Sequence, residues 1–256
     1  MTPRFRMIAG PNGSGKTTLY ERLAGEFAVN FYTMLNADRM FAEASANRTI
    51  LAPLPIDGAD LARHIAASSY PESVLAPFRR GAIILNDGLF RFVDPRAITS
   101  YTVSLIVNFI QERMIRSRQS FSQETVFSHP SKIDSLRAAK HLGFRTYLYF
   151  VSTEHPQINA FRVRDRVSKG GHDVPVGKIV SRYARALRNI APALPFLSRA
   201  FFFDNSGFEM RYIASYDESS GWTAKVTIPS LPQWFRHAVP TAFPVSKRHP
   251  NPDDPK

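Results

Sequence analysis

The chain has no cysteine among its 256 residues. That excludes disulfides, thiol nucleophiles and Cys-based zinc sites, and it fits a reducing, cytoplasmic setting. Long apolar runs are missing as well. No stretch of eighteen or more apolar residues occurs, so no membrane span is expected, and "MTPRFRMIAG" leaves no room for a signal peptide ahead of the first strand. Acidic side chains are scarce beside basic ones, 21 against 33, giving a net charge of +12. This imbalance favours anionic ligands and brings nucleic acid into view, although cations around phosphates or on solvated helices would give the same sum. What is present is ample core material, 44% hydrophobic and 12% aromatic, in a length that suits one α/β domain with a small appendage.

The most specific local signal is "AGPNGSGKTT" at residues 9–18, which fits G-x-x-x-x-G-K-[ST] at Gly10, Gly15, Lys16 and Thr17. Gly10, Gly13 and Gly15 let the backbone turn its N–H groups inward as an anion nest, with Pro11, Asn12 and Ser14 between them. The positive end of the following helix adds to the same cradle. Lys16 reaches the β and γ phosphates, the Thr17 hydroxyl suits magnesium, and Thr18 follows in the first turn. "RFRMIAG" before the loop reads as a buried strand, and "KTTLYERLAGEF" after it as a helix with Leu19, Leu23 and Phe27 at helical spacing. The rival reading is a glycine-rich turn with no ligand.

Strands and helices then alternate. "NFYTMLNADRM" gives a second strand ending at Asn36, with Asp38 just beyond it, and "RMFAEASANR" a helix. A helical "GADLARHIAASS" follows several proline and glycine breaks, and "GAIILNDGLFRFVDP" suggests a hairpin. The long helix "DPRAITSYTVSLIVNFIQERMIRSR" is expected to be capped by Asp94, with Tyr101 on its apolar face. "SFSQETVF" and "FRTYLYFV" read as strands flanking the helix "SKIDSLRAAKHLG", which Gly143 stops. Two further helices surround "SKGGHDVP". "SRAFFFDNS" is the last parallel strand, and "EMRYIASYD" with "WTAKVTI" forms an antiparallel edge hairpin. The expected fold is a P-loop kinase-type, doubly wound, mostly parallel sheet flanked by helices, carrying a helical and hairpin insertion and that edge hairpin. One domain over 1–244 is expected, with the insertion at about 50–118, a lid at about 162–185 and the hairpin at about 208–228. Residues 245–256 read as a disordered tail.

A motor or switch ATPase would show an apolar strand ending in a magnesium-binding acid; no such "DE" strand occurs. Two separated carboxylates, Asp38 and Glu124, appear instead, followed by an arginine-bearing helix, a glycine joint and a second arginine-bearing helix. That order suits a small kinase whose lid arginines neutralise the transferred group and exclude water. "AGPNGSGKTTL", "NAD" at 36–38, "SFSQETVFS" at 120–128, "RVRDRVSKGGHDVP" at 162–175, "RYARAL" at 182–187 and "FFFDNS" at 201–206 resemble, in this order, the zeta-toxin-like family of P-loop kinases. The resemblance covers roughly residues 4–206. It implies an ATP- and magnesium-dependent kinase acting on a hydroxyl, a toxin–antitoxin setting with an antitoxin partner, and a nucleotide sugar such as UDP-N-acetylglucosamine as acceptor. The sequence departs from the pattern in the length between Asp38 and Glu124, 124 − 38 = 86 positions, where the insertion could line the acceptor site, and in the edge hairpin.

The resemblance makes Asp38 the general base; an N-cap role for the helix beginning near Arg39 is the structural alternative. Glu124, on a strand otherwise rich in apolar residues, suits acceptor binding or magnesium, with a buried salt bridge as the rival. Thr125 is a weaker acceptor candidate. Arg162 and Arg166 share a helix face, and Arg166 and Arg182 are the phosphate-binding candidates, with Arg162 and Arg185 as replacements. Asp165 could pair with either of the first two. Arg164 reads as solvated and His172 as part of the joint or an acceptor contact. Asn205 suits the adenine edge or, equally, an ordinary turn. Arg113, Arg116 and Arg118 complement a helix dipole and carry no chemistry. A nucleoside or polynucleotide 5'-hydroxyl kinase, or a nucleotide-dependent nucleic-acid-binding ATPase or switch, is the alternative. Aromatics interleaved with a basic stripe would favour nucleic acid, whereas the basic residues read along the chain cluster around the lid.

Overall fold

Nearly continuous apolar strands need cover on both faces, and the chain supplies it by alternating them with helices. The computed structural model describes residues 2–170 and 173–243. Its strands are β1 (Arg4–Ala9), β2 (Thr33–Asn36), β3 (Thr49–Leu51), β4 (Ile83–Asn86), β5 (Leu89–Phe92), β6 (Phe121–Thr125), β7 (Arg145–Ser152), β8 (Arg199–Asp204), β9 (Arg211–Asp217) and β10 (Gly221–Ala224). The helices are α1 (Lys16–Gly25), α2 (Ala37–Asn47), α3 (Gly58–Ala67), α4 (Glu72–Arg79), α5 (Ser100–Arg116), α6 (Ser131–His141), α7 (Pro156–Ser168), α8 (Val176–Arg188), the single turn α9 (Ile190–Ala193) and α10 (Gln233–Ala238).

Seven strands form the main sheet in the order β10-β9-β8-β7-β1-β6-β2. β2, β6, β1, β7 and β8 run parallel, and β9 and β10 add the antiparallel edge expected from the sequence. The parallel crossovers bring the ends of β1, β2 and β6 together, which is where an α/β sheet binds ligands. One face packs α2, α5, α6, α8 and α10 around Phe5, Phe121, Phe150 and Phe202. On the other, α1 places Leu19 and Leu23 against Ile8, Tyr149 and Val151.

The structure corrects several local expectations. α1 stops at Gly25, so Phe27 lies beyond it and is 63% exposed. The long helix does not start at Asp94. Asp94 caps a short 3-10 turn at Pro95–Ala97, and α5 begins at Ser100 behind a capping box made by Thr99 and Thr102. Tyr101 then falls outside the buried face, at 63% exposure. The 83–92 hairpin is joined by β3 into a three-stranded antiparallel sheet. α4 forms despite its internal Pro77, which leaves Val74, Leu75 and Phe78 buried. Strand pairing in the second half of the edge hairpin ends at Ala224, short of "KVTI". α10, not foreseen, buries Trp234 and Phe235 against Phe202. Residues 245–256, expected as a tail, lie outside the described residues.

Candidate active site

The loop between β1 and α1 adopts the geometry its glycines permit. Gly10, Gly13 and Gly15 have φ of 153°, 76° and 97°. At Gly10 a Cβ would sit 2.1 Å from the Val151 carbonyl oxygen, and at Gly13 it would sit 2.5 Å from that of Asn159. The loop is therefore pressed against β7 and α7 as well as being left-handed. Two buried polar atoms in it, Asn12 Oδ1 and Ser14 Oγ, have no hydrogen-bond partner. Buried polar atoms ordinarily have one, and Arg6, His64 and Arg113 carry the other exceptions among the described residues. Thr17 and Thr18 are exposed in the first turn of α1.

Lys16 folds back so that its Nζ donates to the Pro11 carbonyl at 3.2 Å and lies 4.0 Å from Glu124 Oε1. Burial pulls its ammonium below the ordinary lysine range; Glu124 and Asp38 pull it back up, and Arg166 pushes it further down. Glu124, selected from sequence, thus lies beside the P-loop lysine. The Glu124 carboxylate also accepts from the Asn36 amide at 2.7 Å, so neither a plain salt bridge nor an unpaired charge describes it.

Asn36, not Asp38, caps α2: its side-chain oxygen accepts from the Arg39 N–H at 3.0 Å. Asp38 sits within the first turn, where the helix dipole favours its charge. Thr125 serves the loop with its backbone, since its carbonyl accepts from Gly10 N–H at 3.3 Å, while its hydroxyl accepts from Phe127 N–H at 3.2 Å. Phe127 is fully buried with φ +62°, an unusual conformation for a bulky side chain and a strained link beside the site.

On the α7 side, Asp165 pairs with Lys169 at 2.7 Å rather than with Arg162 or Arg166. The Arg162 guanidinium donates to the carbonyls of Asn205, at 2.8 Å, and Gly207, at 3.3 Å, placing it on the 205–207 turn. Asn205 returns to the loop, its amide donating to the Ser14 carbonyl at 2.9 Å. Arg164 is exposed, as expected. Arg182 precedes Tyr183 on α8, and that tyrosine hydroxyl donates to the carbonyls of Thr153, at 2.7 Å, and Glu154, at 3.1 Å. Arg185 is exposed on the same helix. His172 and Gly171 lie outside the described residues. Arg113, Arg116 and Arg118 go to Asp60, Glu112 and the Leu142 carbonyl.

One buried contributor went unforeseen. Asn159, fully buried on α7, donates to the Asn12 carbonyl at 2.7 Å and accepts from the Thr153 hydroxyl. An asparagine inside a helical, polar-looking segment was the available signal. Two clefts, of about 450 and 850 Å³, open between α3, α5 and α6 beside His64 and Glu112, away from the loop.

No family profile and no curated protein matches the sequence. Solved structures do match in shape. A chain of the AvrRxo1-ORF1:AvrRxo1-ORF2 complex has a TM-score of 0.51 at 17% identity, over 88% of this chain and 61% of that one. The same complex with ATP gives 0.50 at 17%, over the same shares. The chain thus spans about three-fifths of the length of these relatives. A structure from the PezAT chromosomal toxin-antitoxin system of Streptococcus pneumoniae gives 0.45 at 12%, over 80% and 68%. The likeness to the AvrRxo1 complex is one of fold, a mostly parallel sheet flanked by helices, as the sequence pattern predicts. Among the described residues, no helix is long and apolar enough to cross a membrane.

Proposed function

We propose that the chain is an ATP- and magnesium-dependent kinase that moves the γ-phosphate to a hydroxyl of a small molecule. The observation that carries this reading is the Glu124 carboxylate 4.0 Å from the Lys16 ammonium of the glycine loop, with Asp38 in the first turn of the helix that Asn36 caps. Carboxylates beside such a loop suit a proton acceptor and a group that positions a hydroxyl. The structural relative solved with ATP supports the nucleotide.

In this reading the loop amides and Lys16 hold the β and γ phosphates, and Asn205 meets the base. Glu124 orients the acceptor. Asp38 takes the proton from its hydroxyl as the new oxygen–phosphorus bond forms and the bond to the ADP oxygen breaks. Arg166 and Arg182, on the two helices of a closing lid, neutralise the charge spread over the transferred group and shut out water. Arg162 fixes the base-side turn. Magnesium polarises the phosphates when bound; Thr17 would hold it, assisted by phosphate oxygens and water. That fits a site where no group of three His, Cys, Asp or Glu stands ready to hold a metal among the described residues. A nucleotide sugar such as UDP-N-acetylglucosamine is the leading acceptor and an antitoxin the leading partner through the family resemblance, and the AvrRxo1 relative is itself a two-protein complex.

Mass spectrometry of reactions with ATP and UDP-N-acetylglucosamine, other nucleotide sugars, nucleosides and oligonucleotides tests the proposal. One phosphorylated product per ADP is expected. Brisk release of free phosphate with every acceptor unmodified would replace the kinase with an ATPase.

A further inference from the structure

The face of the sheet that α1 covers is clothed unevenly. Among the described residues, the helical side chains packed with this layer are Leu19, Tyr20, Leu23 and Ala24 of α1, which sit near β1 and β7. Phe201 and Phe203 of β8 and Tyr212 of β9 stay only half-buried, whereas Ala200, Phe202 and Asp204, alternating with them, are fully enclosed on the opposite face.

Cations and rings interleave across this surface. Beneath the surface the buried Arg6 guanidinium lies between the rings of Tyr32, at 5.2 Å, and the buried Tyr147, at 5.0 Å, and the exposed Arg145 lies 6.0 Å from Tyr147. Tyr149 stacks on Phe201 at 5.0 Å and 13°, and Phe203 on Tyr212 at 5.1 Å and 26°. Lys225 ends the row, 5.7 Å over Tyr212. Arg145, Arg199 and Lys225 are exposed. Of the carboxylates in β7 to β10, Asp204 belongs to the other face and Asp217 is tied to Arg199 at 2.6 Å. The strands of this surface therefore offer flat apolar rings among cations, with no free acid on them among the described residues; Glu209 lies in the turn before β9.

We propose that this face, from Arg145 past Phe201, Phe203 and Tyr212 to Lys225, binds single-stranded nucleic acid. Half-exposed rings accept the faces of unpaired bases, and the flanking guanidinium and ammonium groups take the phosphates. An acidic peptide would use the cations and leave the rings unexplained. A duplex would use the cations too, because its bases are already stacked. The chain's charge of +12 points the same way. The surface is separate from the phosphate loop and does not rest on the kinase reading.

The test is fluorescence anisotropy of the full chain with labelled dT12 and U12 single strands, at about 50 and 200 mM salt. A Lys16→Ala background keeps the phosphate loop out of the measurement. Single strands should bind more tightly than the matching duplex and weaken steeply with salt. Tyr212→Leu, which keeps apolar bulk but removes the flat ring, should weaken binding about fivefold or more, the low end of one base–ring stack. Lys225→Ala, an exposed position that spares the core, should weaken it and lower the salt slope. ATP affinity should be unchanged when either substitution is made in the parent chain. The proposal is overturned by no binding at low salt, by duplex binding as tight as single strand, or by variants that bind like the parent. A dimer in light scattering that Tyr212→Leu dissociates would also overturn it, assigning the face to a second copy.

Discussion

Asn36 donates its side-chain amide to Glu124 Oε2 at 2.7 Å while its side-chain oxygen caps α2. One residue thereby fixes both the carboxylate beside Lys16 and the helix whose first turn carries Asp38. The two duties separate by mutation. Asn36→Ser should keep the cap, with stability within about 0.5 kcal/mol of the parent, whereas Asn36→Ala should lose about 1 kcal/mol. Both should lose phosphoryl transfer, by roughly tenfold, because Glu124 loses its only neutral donor among the described residues. Thermal unfolding and turnover rates check this. Parent-like turnover in both variants would mean that Glu124 is aimed by something else.

Asp38→Asn should leave ATP binding nearly intact and slow transfer by roughly 10²-fold or more, the scale of a lost general base. Lys16→Ala should fold yet lose transfer. Calorimetric titration of ATP separates the roles: abolished binding in Asp38→Asn would make that aspartate chiefly a magnesium ligand.

Arg166→Ala and Arg182→Ala should depress turnover far more than ATP affinity, since their charge matters most as the phosphoryl group transfers. Equal losses in affinity and rate would make them ground-state binders instead.

Lys132 gives a pH prediction outside the site. Its Nζ donates to Asn108 Oδ1 at 2.9 Å, and burial pushes the ammonium down to about 8. Between about pH 8 and 10 the unfolded chain keeps a proton that the folded chain gives up, so this group makes stability rise with pH there. Lys132→Met should flatten that rise in denaturant unfolding measured at pH 8, 9 and 10. Parallel curves for parent and variant would show that the ammonium is not desolvated. Above pH 10 the buried Tyr183, pushed up to about 12, works in the opposite sense, so the comparison stops there.

Legibility followed periodicity and broke where a local signal had two uses. Apolar strands and amphipathic helices were readable because burial imposes their spacing. Asp94-Pro95 reads equally as the start of a helix or of a 3-10 turn, and the Thr99–Thr102 box decided between them. Pro77 concealed α4, because packing of Val74 and Phe78 outweighs the missing hydrogen bond. In the site, the glycine loop, Asp38 and Glu124 could be chosen because their motifs are contiguous. Asn159 could not, since its importance lies in a carbonyl 147 positions away. The aromatic and basic face was equally hidden: its rings come one or two at a time from three separate strands and a loop, and no window of sequence holds the row.

The Asp204 carboxylate, at the end of β8, is completed by Ser206, by Arg211 and by the indole N–H of Trp234, thirty residues later. The turn bearing Asn205 is therefore unfinished while the ribosome is still making that stretch. A nascent chain that has released the whole parallel sheet still has a buried acid lacking its indole donor. Completion of the turn beside the phosphate loop thus waits for α10. A chain shortened to end before Trp234 offers the direct check, since it should keep the phosphate loop's grip on tripolyphosphate while losing preference for ATP.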